Sequence, residues 1–87
     1  MKDGVKLSEA GGTLGFPIKR SIIKTFNLKW KDPVEFDILD EERNVLITLQ
    51  AELKKNKTVS IRDYIAEEFD LKTNQVIQVD IRRPKEL

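Results

Sequence analysis

Shifted by 43 residues, the chain repeats its own pattern: FPIKRSIIKTFNLKWKDPVEFDI (16–38) pairs without a gap with VSIRDYIAEEFDLKTNQVIQVDI (59–81). Seven of those 23 pairs are identical, namely Ile18/Ile61, Ile22/Ile65, Phe26/Phe69, Leu28/Leu71, Lys29/Lys72, Asp37/Asp80 and Ile38/Ile81. Phe16/Val59, Val34/Ile77 and Phe36/Val79 stay apolar, so what recurs is the pattern that decides burial. A chain of 87 residues has room for one core only. The expectation is therefore a single domain over 1–87, with repeat 1 at about 4–39 and repeat 2 at about 44–83.

Within each copy the apolar spacing changes. It is two at Phe16 and Ile18, widens to four at Ile22 and Phe26, and returns to two at Val34, Phe36 and Ile38. Such a switch reads as strand, short helix, strand. Ser60 is placed to cap the second helix, and Pro17 keeps the first from starting earlier. A further strand precedes each unit: Val5 to Ser8 before the turn AGGTLG, and VLITLQAEL (45–53) before KKNK. At the same offset these two strands are out of phase, Lys6 facing Leu49 and Leu7 facing Gln50, and a different turn length would restore the register. Neither unit can bury its apolar faces alone. The fold class is thus mainly β with two short helices: two strand-strand-helix-strand units, joined by DEERN (40–44), closing six strands about a pseudo-twofold axis into a small barrel. Burial is expected for Ile22, Phe26, Leu28 and Ile38 and for their equivalents Ile65, Phe69, Leu71 and Ile81.

The run LGFPIKRSIIKTFNLKWKDPVEFDI resembles the AbrB, MazE and SpoVT type of swapped-hairpin transcription factor. That pattern is a glycine turn, a strand ending in Ile-Pro-Lys, a short helix, and Leu-Lys-x-Gly-Asp-x-Val-x-Val. The resemblance implies a cradle-loop barrel, of which the RIFT and double-psi types carry both units in one chain, and hence a monomer in place of an interleaved dimer. The chain departs from the pattern at Lys19 and Arg62, where the proline would fall, and at Lys31-Asp32 and Asn74-Gln75, which stand for the Gly-Asp box. Glycine normally permits that tight turn. Residues 58–87 are also similar to the N-terminal domain of the DEP-domain subunit of the eukaryotic GATOR complex, which implies a protein-interaction module.

Composition narrows the chemistry. There is no cysteine for a disulfide or thiolate site and no histidine for the commonest catalytic base, which fits a cytoplasmic protein. No apolar run has the length of a membrane span, and the N-terminus does not read as a signal peptide. The glycines of GGTLG (11–15) precede a strand and lack a following Gly-Lys-Ser/Thr, so they read as a hairpin turn and not as a phosphate loop. Asp37 and Asp80, related by the repeat, raise the possibility of a carboxylate pair that activates water. Each lies between inward apolar neighbours, however, and should point to solvent. DILDEER does not match an EF-hand loop and reads as a solvated connection. Trp30 and Tyr64 stand beside turns, where an aromatic residue caps the core edge or stacks on a partner. The expectation is a non-enzymatic protein without cofactor or metal.

The net charge of +1 leaves nucleic-acid binding to local clustering. Lys19, Arg20 and Lys24 mark the first helix, Lys29 and Lys31 follow it, and Lys2 and Lys6 lie on the first strand. The resembling regulators bind DNA near this helix and the preceding hairpin, which makes Lys6, Lys19, Arg20, Lys24 and Lys29 the candidate DNA contacts, as phosphate neutralisation requires cations. Of the positions where those regulators carry an arginine, Lys24 is basic, whereas Gly15 and Ile23 are not. On the second helix Asp63, Glu67 and Glu68 accompany Arg62 and would repel phosphate. The two functional expectations are an AbrB-like DNA-binding regulator working through the first repeat and a protein-interaction module.

Overall fold

The computed structural model describes residues 1–85. In chain order it contains β1 (Lys2–Lys6), β2 (Ser8–Ala10), β3 (Thr13–Pro17), α1 (Arg20–Phe26), β4 (Pro33–Leu39), β5 (Val45–Glu52), β6 (Thr58–Ser60), α2 (Asp63–Glu68) and β7 (Val76–Arg82). The chain is mainly β with two short helices, as expected. Its strands form two antiparallel sheets, β1-β7-β4-β5 and β2-β3-β6. There is one strand more than the six foreseen, because a hairpin arm, β2, precedes β3. The two ladders are separate and open among the described residues. The chain crosses between them at Leu7, where β1 gives way to β2, and after Leu53, where the Lys54 N–H donates to the Thr58 carbonyl at 3.0 Å.

The repeat governs the register. The β4–β7 ladder sets Asp37 opposite Asp80, and the β3–β6 ladder sets Phe16 opposite Val59. In both pairs a residue faces its own repeat equivalent, so a pseudo-twofold axis passes through the two. The first strands obey a different offset. Lys6 pairs with Val76 and Glu52 with Pro33, and since Val76 is the equivalent of Pro33, Lys6 corresponds to Glu52, an offset of 46. Leu7 and Leu53 then coincide, and both are buried. The Leu7 N–H donates to the Gln75 carbonyl and its carbonyl accepts from Asn74, while Leu53 makes the same pair of bonds with Asp32 and Lys31, all at 2.8–2.9 Å. The extra residues of copy one are absorbed by the β2–β3 hairpin, whose turn uses Gly11 and Gly12 at φ 62° and 83°. The difference in turn length inferred from the sequence is therefore present.

Each helix ends in the left-handed region, at Asn27 (φ 50°) and Asp70 (φ 53°). The next N–H reaches back across the final turn, Leu28 to Ile23 and Leu71 to Ala66, as in a Schellman cap. The box that lacks glycine still makes its turn: Lys31 and Asn74 take φ of 72° and 68°. A side chain fastens each turn, Asp32 Oδ2 accepting from the Lys29 N–H and Gln75 Oε1 from the Lys72 N–H, at 2.8 and 2.9 Å. Ser60 does not cap the second helix; it ends β6, and the residue before α2 is Arg62 in an extended conformation. The joint between copies is also fastened, since Asp40 Oδ1 accepts from the amides of Glu42 and Asn44.

Side chains from both sheets and both helices meet in one core, including Leu7, Phe16, Ile22, Phe36, Leu53, Val59, Ile65 and Val79. The Phe16 and Phe36 rings meet edge to face with centroids 5.1 Å apart. Six of the eight residues expected to be buried are buried, but Phe26 and Phe69 are only partly so. The left-handed caps carry Leu28 and Leu71 into the core, and the two phenylalanines pack over its rim. Truncating Phe36 to alanine should therefore cost about 3–5 kcal/mol in urea unfolding, and the same change at Phe26 should cost less. Replacing Lys31 with glycine should instead stabilise the fold by about 0.5–1 kcal/mol, because it relieves a left-handed lysine, with the midpoint of the urea transition as the measure.

Candidate nucleic-acid interface

The pseudo-twofold axis relates two ends of the molecule, each built from a helix, the turn after it and a turn from the other copy. The copy-one end joins α1, residues 27–32 and residues 53–57. Leu53 pairs with Lys31 and Asp32, and the Ile18 N–H donates to the Lys57 carbonyl at 2.9 Å. The copy-two end joins α2, residues 70–75 and residues 7–14 through the equivalent bonds, Leu7 with Asn74 and Gln75, and Ile61 with Leu14. The backbones match and the charges do not.

No acidic residue occurs in 19–31 or 53–57, which carry Lys19, Arg20, Lys24, Lys29, Lys31, Lys54, Lys55 and Lys57, all exposed. The nearest carboxylate in the turn, Asp32, is engaged by Arg83, whose Nη2 lies 3.0 Å from its Oδ2. At the copy-two end stand Glu9, Asp63, Glu67, Glu68 and Asp70, with Arg62 and Lys72 as its cations and Lys6 on its border. A net charge near zero thus conceals opposite poles. Trp30 lies in the basic pole, 54% exposed, with Lys31 Nζ and Lys55 Nζ 4.7 and 4.4 Å from its ring centre. The ring is exposed and carries both cations over it, so it does not cap the core edge, one of the two roles that the sequence suggested.

Of the foreseen contacts, Arg20, Lys24 and Lys29 share this end. Lys19 borders it, with Nζ 2.8 Å from Asp3 Oδ1, so part of its charge is already answered. Lys6 is elsewhere: it pairs with Val76 at the far end of β1, next to the copy-two turn. Sequence reasoning missed Lys54, Lys55 and Lys57. KKNK was legible as a turn, but its place beside α1 depends on pairing between Leu53 and Lys31 across more than twenty residues.

The carboxylates on the axis are not shared. Asp37 was expected to face solvent, yet it is 8% exposed, because Arg82 and Thr48 cover it on the outer face of the four-stranded sheet. Arg82 grips it with two hydrogen bonds of 2.9 Å and also meets Glu35, while Thr48 Oγ1 donates at 2.6 Å. Asp80, directly opposite, has its own cation, the Met1 ammonium at 2.8 Å. The Arg82 hydrogen bonds hold the Asp37 carboxyl below the usual carboxylate range, against the effect of burial, and the two carboxylates raise the guanidinium's proton affinity in return.

No grouping of acidic side chains among the described residues has metal-site geometry, and no helix there is long and apolar enough to cross a membrane. The chain matches no family model, and no significant match joins it to a curated protein or to a solved structure.

The depressed Asp37 value fixes a sign. A carboxylate more acidic in the folded state stabilises the fold above the ordinary carboxylate range near pH ~4 and loses that contribution as the pH falls through its folded value. Asp37→Asn should therefore be about 1–3 kcal/mol less stable than the parent at pH 7, with the gap narrowing at pH values below ~4. Urea midpoints across that range would show it; a gap that widens in acid would contradict the assignment.

Proposed function

We propose that this chain is a non-enzymatic DNA-binding protein that meets the phosphate backbone with its copy-one end, as a monomeric relative of the cradle-loop barrels and, within them, of the AbrB-like regulators. The observation that carries the reading is the segregation of charge between two ends of equal backbone. Lys24, Lys29, Lys31, Lys54, Lys55 and Lys57 stand on non-local segments that backbone bonds bring to one end, where Lys31 and Lys55 lie over an exposed tryptophan, with no free carboxylate in those segments. Clustered lysines answer phosphate charge without reading bases, and Trp30 can stack on an exposed base or sugar. For the barrel class, support comes from the crossings at Leu7 and Leu53, each of which hands one strand from the first sheet to the second, and from the duplicated strand-helix-strand unit. A protein-interaction role is favoured by a separate feature, the exposed Leu46 and Val76 beside an open groove at the acidic end.

Trp30 is the only tryptophan, so its emission reports directly on the basic end. Duplex DNA added at about 50 mM salt should change that emission, and the affinity should fall steeply as salt is raised to about 200 mM. Lys24→Ala should lower the log-log salt slope by about one, as for the loss of one phosphate contact. Charge removal on α2, Glu67→Gln with Glu68→Gln, should leave the slope unchanged. Emission indifferent to DNA at low salt would sink the proposal.

A further inference from the structure

The internal symmetry leaves one site filled and its counterpart open. In copy one, Arg83 lies across the end of α1: Nε donates to the Phe26 carbonyl at 2.7 Å, and Nη2 to the Asn27 carbonyl and to Asp32 Oδ2, both at 3.0 Å. These are the last carbonyls of a helix, which lack partners within it and carry the negative end of its dipole. The equivalents of Phe26, Asn27 and Asp32 are Phe69, Asp70 and Gln75. Their backbone is the same, with Asp70 left-handed as Asn27 is, and Gln75 Oε1 held on the Lys72 N–H as Asp32 Oδ2 is on that of Lys29. The residue in the place of Arg83, however, is Asp40, which cannot donate. Among the described residues no donor reaches the Phe69 or Asp70 carbonyl.

What remains is a groove of about 270 Å³, lined among others by Leu39, Asp40, Glu41, Phe69 and Gln75. Its floor is apolar, and Leu46 and Val76 extend it outward at 47% and 64% exposure. We propose that this groove is a docking site for an arginine-bearing segment of a partner protein, whose guanidinium takes the position that Arg83 takes in copy one. Three oxygens in the places that meet one guanidinium in copy one suit the fork of donors on arginine better than the point charge of lysine. Asp40 and Glu41 supply charge complementarity where copy one has a cation. Apolar residues beside the arginine would cover Leu46 and Val76. The site lies at the acidic end and is independent of the DNA-binding proposal.

The probe is a peptide copied from the chain itself, acetyl-VDIRRPK-amide (residues 79–85), titrated into the isotope-labelled protein and followed by amide NMR. Fast-exchange shifts are expected at Asp40, Glu41, Phe69, Asp70, Leu71 and Gln75, with the basic end unmoved. A peptide with its second arginine replaced by lysine should bind about tenfold more weakly, as for the loss of one charge-assisted hydrogen bond. Glutamine at that position should abolish the shifts. In the protein, Asp40→Arg should fill the groove from within and remove peptide binding; Glu41→Gln, which leaves the Asp40 turn intact, should weaken it. The proposal is overturned by no shift at millimolar peptide, by equal shifts with the glutamine peptide, by shifts at α1 in place of α2, or by duplex DNA moving these same amides.

Discussion

The pairing of β4 with β7 about Asp37 and Asp80 is the constraint on which the rest depends. It places the last strand of each copy at the centre of the four-stranded sheet, with β1 and β5 added outside. Since the pair lies on the pseudo-twofold axis, everything attached to one strand is copied on the other: a helix, a left-handed cap, a side-chain-fastened turn and a leucine at which the chain changes sheet. The inward residues Phe36, Ile38, Val79 and Ile81 fill the core from these two strands. On the outer face the symmetry is broken, where Arg82 binds Glu35 across the strands and, with Thr48, covers Asp37.

Much of this architecture was legible because it is written in spacing. The change of apolar period from two to four and back located α1, β4, α2 and β7, and the offset between copies located the axis. The phase slip at Leu7 was legible as well, though not the hairpin arm that absorbs it, since Ser8, Glu9 and Ala10 are all exposed and carry no alternation. Other features were hidden by their dependence on distant partners. Asp37 reads as solvent-facing until Arg82 is brought beside it by strand pairing, and Phe26 reads as core until the cap at Asn27 turns Leu28 inward. At the candidate site, Arg20, Lys24 and Lys29 were visible as local clustering. Lys54, Lys55 and Lys57 joined them through a ladder that local sequence does not reveal.

Duplication gives two ends of one shape, and substitution has given them opposite electrostatics. The backbone bonds of the ends are tied to buried leucines and to turn geometry, so they resist change. Their exposed side chains are free of such ties, and a charge there costs little stability. Function can diverge at each end without disturbing the core they share.

The joint at residues 40–44 has a mechanical consequence. Asp40 holds Glu42 and Asn44 and keeps β4 folded back on β5, with Arg43 left-handed at φ 66°. Every contact between the copies would be equally available from a second molecule if that joint were straightened. The tight carboxylate-fastened turn keeps the two halves of one molecule at a high effective concentration for each other, and so disfavours an exchange of halves between molecules. These hydrogen bonds at the surface thereby weigh toward satisfying the symmetry of this sequence within a chain.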